Sequence, residues 1–127
     1  MNSTEKNKQI VREFYDLAIN KKDYASIADK YIGDLYIQHN PLVEDGPEGF
    51  KKFIEFLKTD YPDAHSEIKR IFADGDFVIL HVHSFRQSNT RGRAIIEIFR
   101  VDNGKVVEHW DTIQGIPETS ANPNTMF

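Results

Sequence analysis

The apolar positions change period halfway along the chain. Between about residues 5 and 20, Ile10, Val11, Phe14, Tyr15, Ala18 and Ile19 recur at helical spacing, which predicts a first helix there. Asn2, Ser3 and Thr4 offer N-cap oxygens, and Glu5 suits the positive end of the dipole. The polar run from Asn20 to Asp23 breaks this helix, and Asp23 can cap a shorter one to about Tyr31, with Ile27 turned inward. Gly33 and Asp34 end that helix. Leu35, Tyr36 and Ile37 read as a short extended piece, continued through Asn40-Pro41 because the residue before proline is held out of the α region. Asp45-Gly46-Pro47-Glu48 is the plainest helix start, with Pro47 suited to the first helical position. Phe50, Phe53, Ile54 and Leu57 follow as one buried stripe.

From Ser66 onward the period is two. Ile68, Arg70 and Phe72 alternate with Glu67, Lys69 and Ile71, and Asp74-Gly75 is a hairpin signal. Phe77 to Phe85 is a nearly continuous run of β-formers, as in a central strand covered on both faces. Arg93 to Val101 and Lys105 to Ile113 are two further strands joined through Asp102-Asn103-Gly104. Residues 117–127 are rich in Pro, Ser, Asn and Thr and read as a loose tail. Helices followed by antiparallel strands predict an α+β fold, a curved sheet with helices on its concave side, in one domain over residues 1–127.

Composition narrows the chemistry. The 127 residues include no cysteine, which excludes disulfides, thiolate-ligated metal and a cysteine nucleophile, and fits a reducing, cytoplasmic setting. The net charge of −4 gives no basic footprint, so nucleic acid is not an expected partner. The first ten residues carry no apolar run after their charges, and nowhere does the chain approach the roughly 20 apolar residues of a membrane helix, so neither a signal peptide nor an anchor is expected. A domain of this size buries roughly two-thirds of its unfolded surface, enough for a core with a pocket inside it.

Phosphate loops, dinucleotide fingerprints and metalloprotease motifs are absent, so the informative residues are polar ones set into apolar strands. Glu97, within Ala94-Ile95-Ile96-Glu97-Ile98-Phe99, either faces water on a half-solvated strand or lies buried with a partner. What faces it depends on the hairpin. A two-residue Asn103-Gly104 turn sets Glu97 opposite Trp110, whereas a three-residue loop sets it opposite His109. The three-residue loop is preferred here because it puts Glu97, Phe99, Val107, His109, Asp111 and Ile113 on one face. His39, His81, His83 and His109 also lie in strand-like segments. His81 and His83 share a face and could take a metal with Asp111 or Glu97, but nothing else fixes the ligand spacing and no metal is assigned. Trp110 serves either packing or ligand stacking, and Tyr15 and Tyr36 are either core aromatics or rim hydroxyls.

The order of elements, the segment from Tyr36 to Phe50, and above all the block from Ile98 to Gln114 resemble the SnoaL-like branch of the nuclear-transport-factor-two-like superfamily. The likeness spans about residues 5–116. It implies a cone of helices and curved antiparallel sheet around a deep apolar pocket, commonly a homodimer through the sheet, and a small apolar or carbonyl-containing ligand. Relatives include polyketide cyclases, ketosteroid isomerase, limonene epoxide hydrolase and dehydratases, several of which need no metal or cofactor, so none is expected. Tyr15, eight residues before Asp23, resembles the isomerase's oxyanion-hole tyrosine. Glu97 resembles its protonated aspartate, a carboxylic acid kept neutral by an apolar site. Asn40 stands where that isomerase has its base, and Gln114, four residues after Trp110, stands where the cyclases have theirs. An amide cannot take a proton, so His109, His39, His83 and Asp111 are the remaining bases. With Tyr15 and Glu97 polarising a carbonyl, as the resemblance implies, the polar cluster on the preferred hairpin face points to His109 first as the group that moves the proton, with Asp111 beside it, in aldol, cyclisation or isomerisation chemistry. His39, Asn40, His83, Trp110 and Gln114 are expected to bind ligand. The resemblance also leaves open a non-catalytic binder in which the amides and histidines hold a ligand.

Overall fold

The computed structural model describes residues 3–127; the N-cap candidate Asn2 lies outside them. Helix α1, Ser3–Tyr15, runs on into a π-helical turn, Asp16–Asn20, in which the Lys21 amide bonds the Asp16 carbonyl. The expected helix thus has its full length but widens at its end. There the Asn20 side chain accepts from the Ser66 amide at 2.7 Å and donates to the Ser66 carbonyl at 3.1 Å, tying the helix end to the first long strand. Asp23 caps α2, its carboxylate accepting from the Ser26 amide. That helix is only Tyr24–Ile27, shorter than expected, because Ala28 is extended and Asp29 takes a left-handed φ of 65°. Strand β1 is Ile37–Gln38, and helix α3 is Gly46–Asp60 with Pro47 in its first turn. Asp45 does not cap α3 with its side chain. Its carboxylate accepts from the Gln38 amide at 2.8 Å, fastening the helix start to β1.

Four long strands follow: β2 His65–Asp74, β3 Phe77–Phe85, β4 Arg93–Asp102 and β5 Lys105–Gly115. They form antiparallel ladders in sequence order, and β1 adds to the outer edge of β5 in parallel, giving the order β1-β5-β4-β3-β2. This is the α+β arrangement that the change of period predicts. In β3, Val78, Leu80 and Val82 are fully buried, while Ile79, His81 and His83 are half-buried. The strand is therefore covered fully on one face only, not on both as its composition indicates. In β2 a bulge between Ile68 and Arg70 changes the alternation, so that Ile71 packs toward the core and Phe72 is exposed.

The β4–β5 hairpin corrects the sequence reading. Asp102 pairs with Lys105, so the turn is the two-residue one, with Asn103 at φ 49° and Gly104 at φ 76°, as a hairpin of this kind requires. A register shift between Arg100 and Val101 then leaves Val107 as the extra residue, and Glu97 comes opposite Asp111, not His109. Because one residue of slip reverses every side chain, the bulge still delivers Glu97, Phe99, His109 and Asp111 to the same inner face.

The core lies between this face and the helices. Phe14 stacks on Phe50 at 5.5 Å and meets Phe99 edge-on at 5.6 Å, so α1, α3 and β4 share one aromatic contact. The stretch after Gly115 has no regular structure, and its Phe127 ring stacks on His83, 4.3 Å between centroids, on the outer face of the sheet. Leu80 makes the clearest test of the core. Leu80→Ala should lower unfolding free energy by about 2–5 kcal/mol in denaturant titration, whereas a loss under about 1 kcal/mol would mean that the site is not close-packed.

Candidate functional site

The helices and the inner face of the sheet enclose a cavity of about 470 Å³, of the size that holds a small organic ligand. Most of its wall is apolar, with Phe14, Phe50, Phe53, Leu57, Ile95 and Phe99 prominent. One part of the wall is polar, and its members come from five segments of the chain: Tyr15 of α1, Gln38 of β1, Asn40 beyond it, Glu97 of β4, and His109 and Asp111 of β5.

Glu97 is only 5% exposed, and each of its oxygens has a partner. The Tyr15 hydroxyl donates to Oε2 at 2.5 Å, and His109 Nε2 lies 2.7 Å from Oε1. The other imidazole nitrogen, Nδ1, lies 2.7 Å from Gln38 Oε1. That oxygen also accepts from the Asn40 amide at 3.0 Å, which fixes the orientation of the Gln38 side chain. Nδ1 must therefore carry a proton and donate to Gln38. A contact of 2.7 Å between Nε2 and a carboxyl oxygen also needs a hydrogen, so a proton lies between His109 and Glu97. The same logic orients Asn40. Its Oδ1 accepts from the Leu42 amide at 2.8 Å, which leaves Nδ2 to donate to both oxygens of Asp111, at 2.9 and 3.1 Å.

The titration behaviour follows from burial. Desolvation, reinforced by the nearby Glu97 charge, pushes the Tyr15 phenol well above its ordinary pKa, so this hydroxyl stays a donor. Asp111 is also raised, first by desolvation and then by Glu97, with His109 and the Asn40 amide pulling the other way. A carboxylate shifted up, in a cavity wall, beside an imidazole at 3.7 Å, is equipped to take a proton. Glu97, His109 and Asp111 also bring ligand atoms within 4.8 Å of one another, a spacing that a metal could use. The existing hydrogen bonds already occupy Glu97 and both nitrogens of His109, and no metal is assigned to them.

The structure thus brings together Tyr15, Asn40, Glu97, His109 and Asp111 among the residues singled out from sequence. It places His39, His83, Trp110 and Gln114 elsewhere, because strand alternation turns them to the outer face or rim. His39 stacks on Trp110 with ring centroids 4.8 Å apart and pairs with Glu108 at 2.7 Å. His83 meets the Arg91 carbonyl at 2.8 Å and Phe127, and Gln114 is exposed opposite Ala94. The Tyr15 proton points at Glu97, so the two do not form a pair of free donors. Sequence reading missed Gln38. Its signal was the period of two that sets it with Tyr36 and Asn40, neighbours in the segment that carried the resemblance.

This is an α+β cone fold with an apolar cavity and one carboxyl–imidazole wall. The family model for SnoaL-like polyketide cyclases matches residues 9–118, and the chain belongs to that family. No curated protein sequence matches it. Among solved structures it is similar to TsrD from Streptomyces laurentii, at 20% identity over 89% of this chain and 91% of that one, with a TM-score of 0.70. A proposed ketosteroid isomerase from Kribbella flavida is 20% identical over 98% of this chain and 87% of the other, with a TM-score of 0.71. An NTF2-like protein of unknown function from Mesorhizobium loti is 17% identical over 91% and 96%, with a TM-score of 0.73. At these identities the likeness is one of fold. No helix among the described residues is long and apolar enough to cross a membrane.

Asp111 gives the pH test. Its folded pKa is raised, so the folded state holds that proton more tightly than the unfolded chain, and stability falls as pH rises from the ordinary carboxylate range through the folded pKa. Asp111→Asn removes this dependence. Urea unfolding from about pH 3 to about pH 7 should show the wild type losing ground to the variant as pH rises; parallel profiles would contradict the shift.

Proposed function

We propose that the chain is a cofactor-independent acid–base catalyst acting on a carbonyl compound, by aldol-type condensation or cyclisation or by isomerisation. The observation that carries this reading is the 2.7 Å contact between His109 Nε2 and Glu97 Oε1 beside the up-shifted Asp111 carboxylate, all on one wall of an apolar cavity. Asp111 takes the proton α to the carbonyl, and the C–H electrons become the enolate π bond. The enolate oxygen accepts the proton held between His109 and Glu97, with Tyr15 hydrogen-bonded behind Glu97. The new carbon nucleophile then attacks a second carbonyl, whose oxygen takes the proton from Asp111, or is itself reprotonated from Asp111 at another carbon; in either case the first oxygen returns its proton to the His109–Glu97 pair as its C=O re-forms. Gln38 keeps the His109 proton on Nδ1, so that Nε2 faces Glu97.

A second reading has support of its own: Asn40, Gln38, Glu97 and His109 are already mutually hydrogen-bonded, as in a pocket that binds a small apolar ligand without transforming it. Solvent deuterium exchange separates the two. With a polyketide-like β-keto ester, NMR should show α-proton exchange faster than in buffer. Asp111→Asn and His109→Ala should each lower it about a hundredfold, the order expected for loss of a general acid or base. A β-keto ester that binds without accelerated exchange would leave the binder.

We also propose that two copies pair through the outer sheet face. It exposes Phe72 at 55%, Phe77 at 40% and Ile96 at 43%, a run of apolar side chains that a partner sheet would cover. Light scattering should give twice the chain mass, and Ile96→Asp should return it to one chain while retaining the circular dichroism of the wild type. A wild type that is monomeric at micromolar concentration would end this proposal.

A further inference from the structure

The cavity has a second polar end. Arg86, just past β3, and Arg93, the first residue of β4, both line it, and with Arg91 they also line a wider cleft alongside. Arg93 and Glu97 share the inner face four residues apart, so about 13 Å of strand separates the two ends.

Three features distinguish this end. The Arg86 guanidinium is held over three rings, 5.8 Å from the Phe53 centroid, 5.4 Å from Phe56 and 5.3 Å from Tyr61, which fixes its position without neutralising its charge. Among the described residues no carboxylate forms an ion pair with Arg86 or Arg93. Arg93 Nε is buried and has no hydrogen-bond acceptor, the one side-chain atom in that condition among the described residues. Burial, and then the charge of Arg93, lower the Arg86 pKa, with Tyr61 pulling the other way. Buried donors and charges are ordinarily paired, so this end of the cavity suits an anionic group.

We propose that Arg86 and Arg93 bind an acidic oxyanion group, carboxylate or phosphate, of a ligand whose apolar body fills the cavity and whose far end reaches the Glu97 cluster. Guanidinium forks match both groups with paired hydrogen bonds, and the aromatic cage holds one fork ready. A ligand anchored there meets the catalytic wall with one end only, which gives the cavity a direction. The inference rests on the small-molecule reading of the cavity and is independent of the reaction.

Titration calorimetry of benzoylpropionate, its methyl ester and inorganic phosphate, against wild type, Arg93→Gln, Arg93→Lys and Arg86→Gln, tests it. The wild type should bind the free acid about tenfold or more tighter than the ester, the increment of a charge-assisted hydrogen bond. Arg93→Gln should abolish that preference while leaving ester affinity unchanged, which also reports an intact cavity; Arg93→Lys should retain part of it, and Arg86→Gln should weaken it. Phosphate that binds the wild type and is lost in Arg93→Gln, without a preference for the acid, assigns the end to a phosphate head. Equal affinity for acid and ester with no phosphate binding overturns the anion site alone, as does a preference that survives both glutamine variants. Failure of all three probes to bind overturns it together with the small-molecule reading.

Discussion

The structure depends on a carboxyl group where a sheet would ordinarily place an aliphatic side chain. Glu97 sits on the inner face of β4 between Ile95 and Phe99, and such a group is tolerated away from water only if its oxygens are bonded. Tyr15 supplies one bond from α1 and His109 the other from β5. Those bonds set where α1 lies across the sheet and which way β5 turns its ring. The network continues through Gln38 to the Asn40 backbone, and Asn40 in turn holds Asp111, so the polar requirement of a single residue reaches the edge strand β1.

The bulge in β5 follows from the same requirement. Asn103-Gly104 makes a tight turn, and continued without interruption that turn would bring Glu108 and Trp110 to the inner face and send His109 and Asp111 outward. The unpaired Val107 restores the parity that Glu97 needs. It also leaves Glu108 and Trp110 outside, where Glu108 accepts from Arg100 at 2.9 Å and pairs with His39, and Trp110 stacks on the same His39 ring. A local defect in the ladder therefore separates two sets of polar residues that alternate along one strand.

This explains what was legible in the sequence. The long strands and both major helices could be read because each is a sustained period, and Pro47 and Asp23 mark starts by local chemistry. Glu97 stood out because a carboxylate in an apolar strand has few places to go. The face taken by Trp110 and Gln114 hung on the hairpin register, and neither the Val107 bulge nor the one at Ile68 has a glycine to announce it; in β3 the alternation of His81 and His83 with Leu80 and Val82 does not say which set faces inward. Asn40 misled for another reason. Compared position by position with a relative's base it is a loss, but in space its amide donates to Asp111, a carboxylate supplied by a different strand. A resemblance in sequence compares positions, whereas proton transfer needs proximity.

The two polar parts of the cavity differ in one physical respect. At the Glu97 end the Tyr15, His109 and Asn40 donors each meet an acceptor, which makes the wall rigid before any ligand arrives. At the Arg93 end a buried donor has no acceptor, and the charge of Arg93 disfavours that of Arg86. A satisfied network gains little from a ligand beyond what develops during reaction, whereas an unsatisfied one gains as soon as a ligand binds. In the proposed arrangement, binding energy gained at the arginines would be applied at the carboxyl wall, about 13 Å away along β4, with the apolar cavity holding the two ends of the ligand in line.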